Sequence, residues 1–588
     1  MSIRTNPMKA VPKLLKRLST VEGQANLEDL KSELMNIKDV FLLVKENKEE
    51  LLDTLAAVDG YLRNSNMRKL MEEKEDICKK LRTSFQKLLP ADAAAVRSGN
   101  TEAVQSSSIK PVQYARLDKR KEVMNGESPS FSQLQDIEKF EVHYHNLDHL
   151  HQKRGLLSLL LFPEKTVIKK RDIIAWWMGL GDILGEGDGE DVFVELLHCN
   201  LIVPYHQGKC PHVNKFQVNP WVRKNLMRPL LQKDKKQLFG IYSQIKTSSS
   251  HHNDTLYGSL TLDKREVKLS DEFGFKSNHW KAVFNVKASY LKFGLQWMAK
   301  MKHLEVLHLG RWMQHSASHH IEVENEEFLK DLEGQKSLKY LSLRGISRIS
   351  ELPLSIFQLE SLETLDLKAC HNLETLPNDI ASLRNLRRLD LSQCYLLDRM
   401  PKGIEKLTEL RVFKGFVIGS SRRNPSTISD LANLRKLEQL SIHIGSGAVI
   451  RDGEFESLSE LSALEHLKIS WGVSDIRYSD MQIILPSNLE KLHLEGFPGE
   501  NIPEWLKPDK LPFSLKELNI TGGKLKSMDH GEIYDKHHWL KIIRLKYLKH
   551  LNVHLTNLRK MFPSLWYVDI KHVPNYPSLE NGALNEES

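Results

Sequence analysis

Cysteine is scarce: the 588 residues hold five, widely scattered and odd in number. That excludes a disulfide framework and favours a reducing compartment. Long apolar runs are missing too. The longest, Leu156 to Phe162, is broken by Ser158 and falls far short of the ~20 residues a membrane helix needs, so no transmembrane segment is expected. Gly-x-Ser-x-Gly and His-Glu-x-x-His are absent, which leaves no nucleophile elbow and no zinc-protease helix. No enzyme activity is expected. Charge is nearly balanced, 84 basic residues against 76 acidic, for a net +8. This permits an anionic partner without demanding one. The length implies about three or four domains.

One pattern is written three times between Leu338 and Glu409. Leu338-x-x-Leu341-x-Leu343, Leu362-x-x-Leu365-x-Leu367 and Leu386-x-x-Leu389-x-Leu391 start at a constant spacing of 24, inside the range of leucine-rich repeats. Each copy then carries a proline and an isoleucine: Leu352-Pro353-x-x-Ile356, Leu376-Pro377-x-x-Ile380 and Met400-Pro401-x-x-Ile404. A single Leu-x-x-Leu-x-Leu run is common, whereas three copies in register require one solenoid turn per copy, with leucines inward and alternate residues outward on a concave strand face. Looser copies begin at Leu304, Leu410, Leu437, Leu464, Leu489, Leu515, Leu548 and Leu565. Cys370 and Cys394 share one repeat position and are expected to be stacked structural thiols that bond the turning backbone.

Upstream, apolar residues from Leu27 to Leu62 alternate at three and four spacing, and a second set runs from Leu70 to Leu88 and stops at Pro90. Residues 1–90 therefore read as a helical bundle, suited to self-association or to a passive cap. Its lead-in carries Arg4, Lys9, Lys13, Lys16 and Arg17 without an acid. That fits a transit peptide, but Pro7 and Pro12 interrupt it and a basic start to the first helix explains it as well. Residues 91–139 have no sustained period and read as a linker. Residues 140–235 carry helical stretches through Ile173, Ile174, Trp176 and Trp177, then a glycine-rich turn from Gly181 to Gly189. A helix through Val192, Phe193, Leu196 and Leu197 and short strands follow. This order describes a winged helix. Its second helix carries Glu190, Asp191 and Glu195 with no Lys or Arg, so phosphate repulsion argues against nucleic-acid binding. The remainder, 236–588, is assigned to the repeats, giving a mostly α chain that passes into an α/β solenoid horseshoe.

Phe162-Pro163-Glu164, Ile168-Lys169-Lys170, Ile173-Ile174-x-x-Trp177 and Phe193-x-x-Leu196-x-x-x-x-Leu201-Ile202 resemble the winged-helix part of plant coiled-coil nucleotide-binding leucine-rich-repeat disease-resistance proteins. The order of bundle, this module and Leu-Pro repeats is similar too. Members of that family hold ADP or ATP on Gly-x-x-x-x-Gly-Lys-[Ser/Thr] in a large domain between bundle and winged helix. Here the two Gly-Lys pairs, Gly208-Lys209 and Gly523-Lys524, both lack the upstream glycine and are followed by Cys210 and Leu525 in place of Ser or Thr, and fewer than sixty residues separate Pro90 from Tyr144. A P-loop domain does not fit there. The family's Met-His-Asp motif aligns with Val218-Asn219-Pro220. Pro220 supplies neither carboxylate nor backbone donor.

The resemblance therefore implies a cytoplasmic plant defence protein, with the plasma-membrane surface as a second location. It would work without nucleotide or other cofactor by recognising a protein: a pathogen effector, a guarded host protein or a full-length resistance protein. Two alternatives stay open, a repeat adaptor or regulator with no immune role and an ADP/ATP-dependent switch.

No metal site is expected. His198, Cys199, His206, Cys210 and His212 lack paired ligands at zinc spacing. His143, His145, His149 and His151 lack a carboxylate at metalloprotease spacing. Gly185 to Gly189 fails the calcium-loop register, because Leu184 falls at the first ligand position. The candidate partner-binding residues are the outward strand positions: Tyr340, Ser342, Arg344, Thr364, Asp366, Lys368, Arg388, Asp390, Ser392, Lys414, Phe416, His443, His466, Lys468, Ser470, Lys491, His493 and Glu495. Such a mixed-charge, hydrogen-bonding face suits a protein partner, though some solenoid strands are merely solvated.

Overall fold

Strands three residues long carry the inner leucines of the regular repeats, and the 24-residue spacing returns the chain one strand further along. In this computed structural model Tyr340, Leu341 and Ser342 pair in parallel with Thr364, Leu365 and Asp366, and these with Arg388, Leu389 and Asp390. The structure describes Leu14, Leu30, Leu34, Val58 and residues 72–88. Beyond them it describes 152, 155–156, 158–159, 162, 166–179, 183, 186–205, 213–225, 240–243, 258–262, 266–269, 280–285, 288–294, 297–310, 321–420, 426–445, 447–472, 476–528, 539–574 and 576–579.

Two units make up the chain, Met1–Asn146 and Leu147–Ser588. In the first, Leu14, Leu30, Leu34 and Val58 are helical and buried. Helix α1, Lys74–Leu88, buries Ile77, Cys78 and Leu81, residues one helical turn apart and so on one face. The remaining seam residues, the linker reading and the histidines from His143 to His151 lie outside the described residues.

The second unit opens with a small helical module. Strand β1 (Ile168–Lys169) leads into helix α2 (Lys170–Gly179), helix α3 (Glu186–His198), strands β2 (Ile202–Pro204) and β3 (Lys215–Val218), and helix α4 (Pro220–Asn225). The three strands form an antiparallel sheet in the order β1-β3-β2. Trp176, Trp177, Phe193 and Phe216 are fully buried within the unit, and Phe193 meets Phe216 edge to face at 5.2 Å. Trp177 donates its indole N–H to Ser158 at 2.8 Å, so the buried nitrogen is satisfied. Helix α3 begins at Glu186, inside the stretch expected to be a glycine-rich turn. Asp188 in its first turn suits the positive end of the helix dipole, and Lys170 reaches Glu190 at 2.6 Å to fix α3 on α2. Gly187 and Gly189 of the expected turn are accordingly helical.

The repeats supply β4 (Gly240–Ser243), β5 (Gly258–Leu262), β6 (Glu266–Leu269), β7 (Trp280–Asn285), β8 (Tyr290–Phe293), β9 (Val306–His308) and β10 (Glu322–Val323). They continue with β11 (Tyr340–Ser342), β12 (Thr364–Asp366), β13 (Arg388–Asp390), β14 (Val412–Ile418), β15 (Gln439–Ile444), β16 (His466–Trp471), β17 (Lys491–Phe497), β18 (Glu517–Gly523), β19 (Ile542–Lys546), β20 (Tyr567–Val573) and β21 (Tyr576–Leu579). Fifteen of them form one sheet, running in order from β4 to β21 without β6, β8 and β10, which make a second sheet. Every pairing in the long sheet is parallel except the last, β20 with β21.

The three leucines of each regular copy are at most 1% exposed, each stabilising the coil by roughly 1.5–3 kcal/mol. Pro353 and Pro377 stand in extended backbone immediately before 3-10 turns, Leu354–Gln358 and Asn378–Ser382. A proline there has its φ already set and no N–H to lose, and it aims the following Ile356 and Ile380 into the core, where both are fully buried. Cys370 and Cys394 donate their thiols to the carbonyls of Leu343 and Leu367, each at 3.1 Å. Both are free and buried, so they are the stacked structural thiols the repeat spacing implies.

Strand β14 breaks the regular alternation. Its pairing with β15 shifts between Lys414 and Phe416, and the residue between, Gly415, has φ +84. A Cβ there would come within 2.5 Å of the Leu391 backbone, so only glycine fits. The bulge turns Phe416 inward opposite Ile442, fully buried. Phe416 is therefore a core residue and not an outward one, because the strict two-residue period used to place it does not survive an inserted residue.

Candidate recognition face

Outward side chains stack across the parallel sheet in rows. One row runs Tyr340, Thr364, Arg388, Val412, Gln439, His466, Lys491, Glu517, and a second runs Ser342, Asp366, Asp390, Lys414, Ser441, Lys468, His493, Asn519. A third passes through His443, Ser470 and Glu495. The expected candidates other than Phe416 lie on this face, but they divide into two environments.

Over β11 to β13, helix α2 of the same chain lies on the face. Arg344 bonds Asp172 of α2 through one guanidinium nitrogen and Asp366 through another, each at 2.8 Å. Ser342 donates to the same Asp366 oxygen at 3.2 Å, and Arg171 reaches Gln439 at 2.9 Å. At the end of α2, Gly179 approaches so closely that a Cβ would stand 2.8 Å from that of Tyr340. Trp176 packs edge to face on Phe284 at 4.4 Å, and Phe284 in turn stacks with His308. Tyr340, Ser342, Thr364, Asp366, Arg388 and Asp390 are consequently buried, and Arg344, Lys368, Ser392 and Lys414 keep only part of their exposure.

The electrostatics of this covered half follow from its dryness. Burial alone would raise the Asp172 carboxyl, but Arg344 more than offsets it and holds the group well below the usual carboxylate range. For Asp366 burial wins, reinforced by Asp390 and Asp172 against Arg344, and its pKa is raised. Burial likewise pushes Lys414 down to about 7, with Arg388 adding to it, and Lys169 down to about 8, with Lys368 adding to it. His308 falls to about 3 for the same leading reason. A bidentate Arg344 between two carboxylates gives strong, directional attachment, and removing one partner of such a buried set leaves an uncompensated charge.

From β15 onward the outward residues His443, His466, Lys468, Ser470, Lys491, His493 and Glu495 are half-exposed. Their charges are largely engaged with each other: Lys468 with Glu495 at 2.5 Å, Lys491 with Glu517 at 2.7 Å, Lys546 with Asp569 at 2.7 Å, and Arg544 with Glu517. His443 meets Ser470 at 3.1 Å and His493 meets Thr521 at 3.3 Å. The array thus presents hydrogen-bonding groups with mixed charge and partial hydration, which a protein surface can match.

Several contributors were missed in sequence. Gln439, Ser441, Asn519, Thr521, Arg544, Lys546 and Asp569 sit on the same rows. The Leu-x-x-Leu copies at 515 and 565 would have found Asn519, Thr521 and Asp569, whereas Arg544 and Lys546 belong to β19, whose copy starts at Leu540 (Leu540-x-x-Ile543-x-Leu545) and not at Leu548 as expected; the run from Leu548 forms no strand. Asp172 and Arg171 had no such signal. As for metal, Glu195, His198 and Cys199 bring one ligand atom each within 4.8 Å of one another. The thiol, however, donates to Glu195 at 3.3 Å, and burial followed by Glu195 pushes it up to about 11. His206, Cys210 and His212 lie outside the described residues. Asn219 donates its side-chain amide to the Asn200 carbonyl at 2.8 Å, and Pro220 occupies the first position of α4. Among the described residues no helix is long and apolar enough to cross a membrane.

A family profile described as a leucine-rich repeat region matches residues 289–585. The chain is also 27% identical over 441 residues to Disease resistance RPP13-like protein 4 of Arabidopsis thaliana, an alignment that takes in 73% of this chain and 49% of that protein. The chain spans about half the length of this curated relative. With the repeats built as described and no phosphate-binding glycine-lysine loop in the sequence, the chain belongs to the leucine-rich-repeat family, as a protein similar to plant nucleotide-binding leucine-rich-repeat resistance proteins but without their nucleotide-binding domain.

Proposed function

We propose that this is a cytoplasmic plant defence protein that recognises another protein through the half-exposed part of its concave face, from β15 to β20. It works by binding rather than by catalysis and without nucleotide switching. The observation that carries this reading is the division of one continuous sheet: its first part, as far as Gln439 of β15, is occupied by the chain's own α2, and beyond it His443, His466, Lys468, Ser470, Lys491, His493 and Glu495 stay half-exposed, with Glu517, Asn519 and Asp569 buried among them. The similarity to a disease-resistance protein supplies the biological setting. The helical module, read as a winged helix, serves as an internal partner for the repeats, and the N-terminal helices serve self-association or coupling to a complete resistance protein.

Two measurements test it. Affinity purification from plant tissue with wild type and with Lys468→Glu/His493→Glu should lose one specific protein in the variant. Recovery of the same set from both sinks the assignment of the face. Denaturing the purified protein should release no stoichiometric ADP or ATP, and one equivalent of either overturns the nucleotide-free part.

A further inference from the structure

Where α2 meets the repeats, cations outnumber carboxylates. Asp172 and Asp366 are taken by Arg344. That leaves Asp390 in the shared field of Lys368 and Lys414. Among the described residues, Lys169, Lys368 and Lys414 have no side-chain hydrogen bond and no ion pair within 4.0 Å. They come from three different elements: Lys169 ends β1, Lys368 follows β12 and Lys414 lies in β14. Beside them the Nδ1 of His466 is buried without a hydrogen-bond partner, in a field set by Arg171, Lys491 and Lys414.

An ammonium group taken out of water with no carboxylate in direct contact is costly. The depression of Lys414 and Lys169, each driven first by burial and then by a neighbouring cation, is the expression of that cost. Unlike the guanidinium of Arg344, which forks onto two carboxylates, these ammoniums are point charges on flexible stems. Converging from separate elements, they match an anion with several charged groups better than a single carboxylate.

We propose that this seam binds a compact small molecule bearing more than one phosphate, held by Lys169 on the side of the helical module and by Lys368 and Lys414 on the repeats, and that the anion ties the two together. This inference goes beyond partner recognition by the half-exposed strands and stands or falls separately, since its residues lie under α2.

The test uses the full chain and inorganic tripolyphosphate at constant ionic strength, with sodium chloride as the control salt. Isothermal titration should show saturable one-to-one binding, and thermal denaturation should show a Tm that rises with tripolyphosphate and not with chloride. Lys414→Met should weaken binding at least tenfold. Without anion the same variant should melt no lower than wild type, because burial and the neighbouring Arg388 cost the Lys414 ammonium more than its attraction to Asp390 and Asp172 returns, so lost binding is not a folding defect. Lys368→Gln should weaken binding by a smaller factor. Non-saturating heats, an equal Tm rise in chloride, or unchanged affinity in Lys414→Met overturns the proposal.

Discussion

Strands β11–β13 and β15–β17 share one sheet, one direction of pairing and the same alternation of buried leucine with outward polar residue, yet their outward residues meet opposite fates. In the first group Arg344 and Asp172 keep 14% and 15% of their side-chain exposure. In the second Lys468 and Glu495 keep 37% and 25%. Both pairs are close ion pairs, so contact geometry alone does not distinguish them. What differs is that the first pair is enclosed between the sheet and helix α2, which carries Asp172, and with that the dielectric in which the charges interact. A buried pair is fragile toward loss of one member, whereas a half-hydrated pair is nearly indifferent.

The largest expected effect breaks the covered half directly. Arg344→Ala leaves Asp172 and Asp366 buried without a cation and should cost about 3–5 kcal/mol, read as a lower denaturation midpoint and as faster amide exchange in α2 and β11–β12. An additional Asp172→Asn should recover part of the loss. Unchanged exchange in Arg344→Ala would mean that α2 is not held by this pair. Next comes the boundary between the halves: Gly415→Ala forces a side chain into left-handed backbone against Leu391 and should cost about 1–3 kcal/mol, with the exchange change centred on β13–β15.

Acid should separate the halves more gently. His308 has a folded pKa of about 3 against 6.5 when unfolded, so the unfolded chain binds the extra proton between those values and stability falls as pH drops through that window. The slope is at most about 1.4 kcal/mol per pH unit. Asp172, held low by Arg344, contributes stability that is present above its unfolded value and lost as pH falls below it. Tm measured from pH 7 to 4 should therefore decline less steeply in His308→Phe than in wild type. The smallest effect sharpens the contrast from the other side: Lys468→Ala should change stability by less than about 1 kcal/mol, leaving its consequence, if any, to partner binding.

The solenoid was legible in sequence wherever spacing itself encodes the structure. Leu338, Leu362 and Leu386 recur at a fixed interval because each coil must return to the same core, and Pro353 and Pro377 mark the turns for a local steric reason. The candidate face was legible only as a pattern of outward positions. That Arg344 meets Asp172 is a contact across 172 residues, and no periodicity records it, since nothing about a lone aspartate on a helix tells which strand it will reach. Phe416 was misread because one inserted glycine inverts the parity of everything after it in the strand. The start of α3 was misread because composition favours a turn at Gly187 and Gly189, whereas packing on α2 favours continuing the helix.

That inserted glycine also marks a change in breadth. Strands β11, β12 and β13 have three residues each, whereas β14, β17, β18 and β20 have seven. At roughly 3.3 Å per residue the early strands are about 10 Å long and the later ones about 23 Å, and a helix with its side chains measures about 10–12 Å across. A single helix is thus wide enough to roof the narrow end of the sheet and too slim to roof the broad end, so any one visitor that shelters the broad end must bring more than one element of its own.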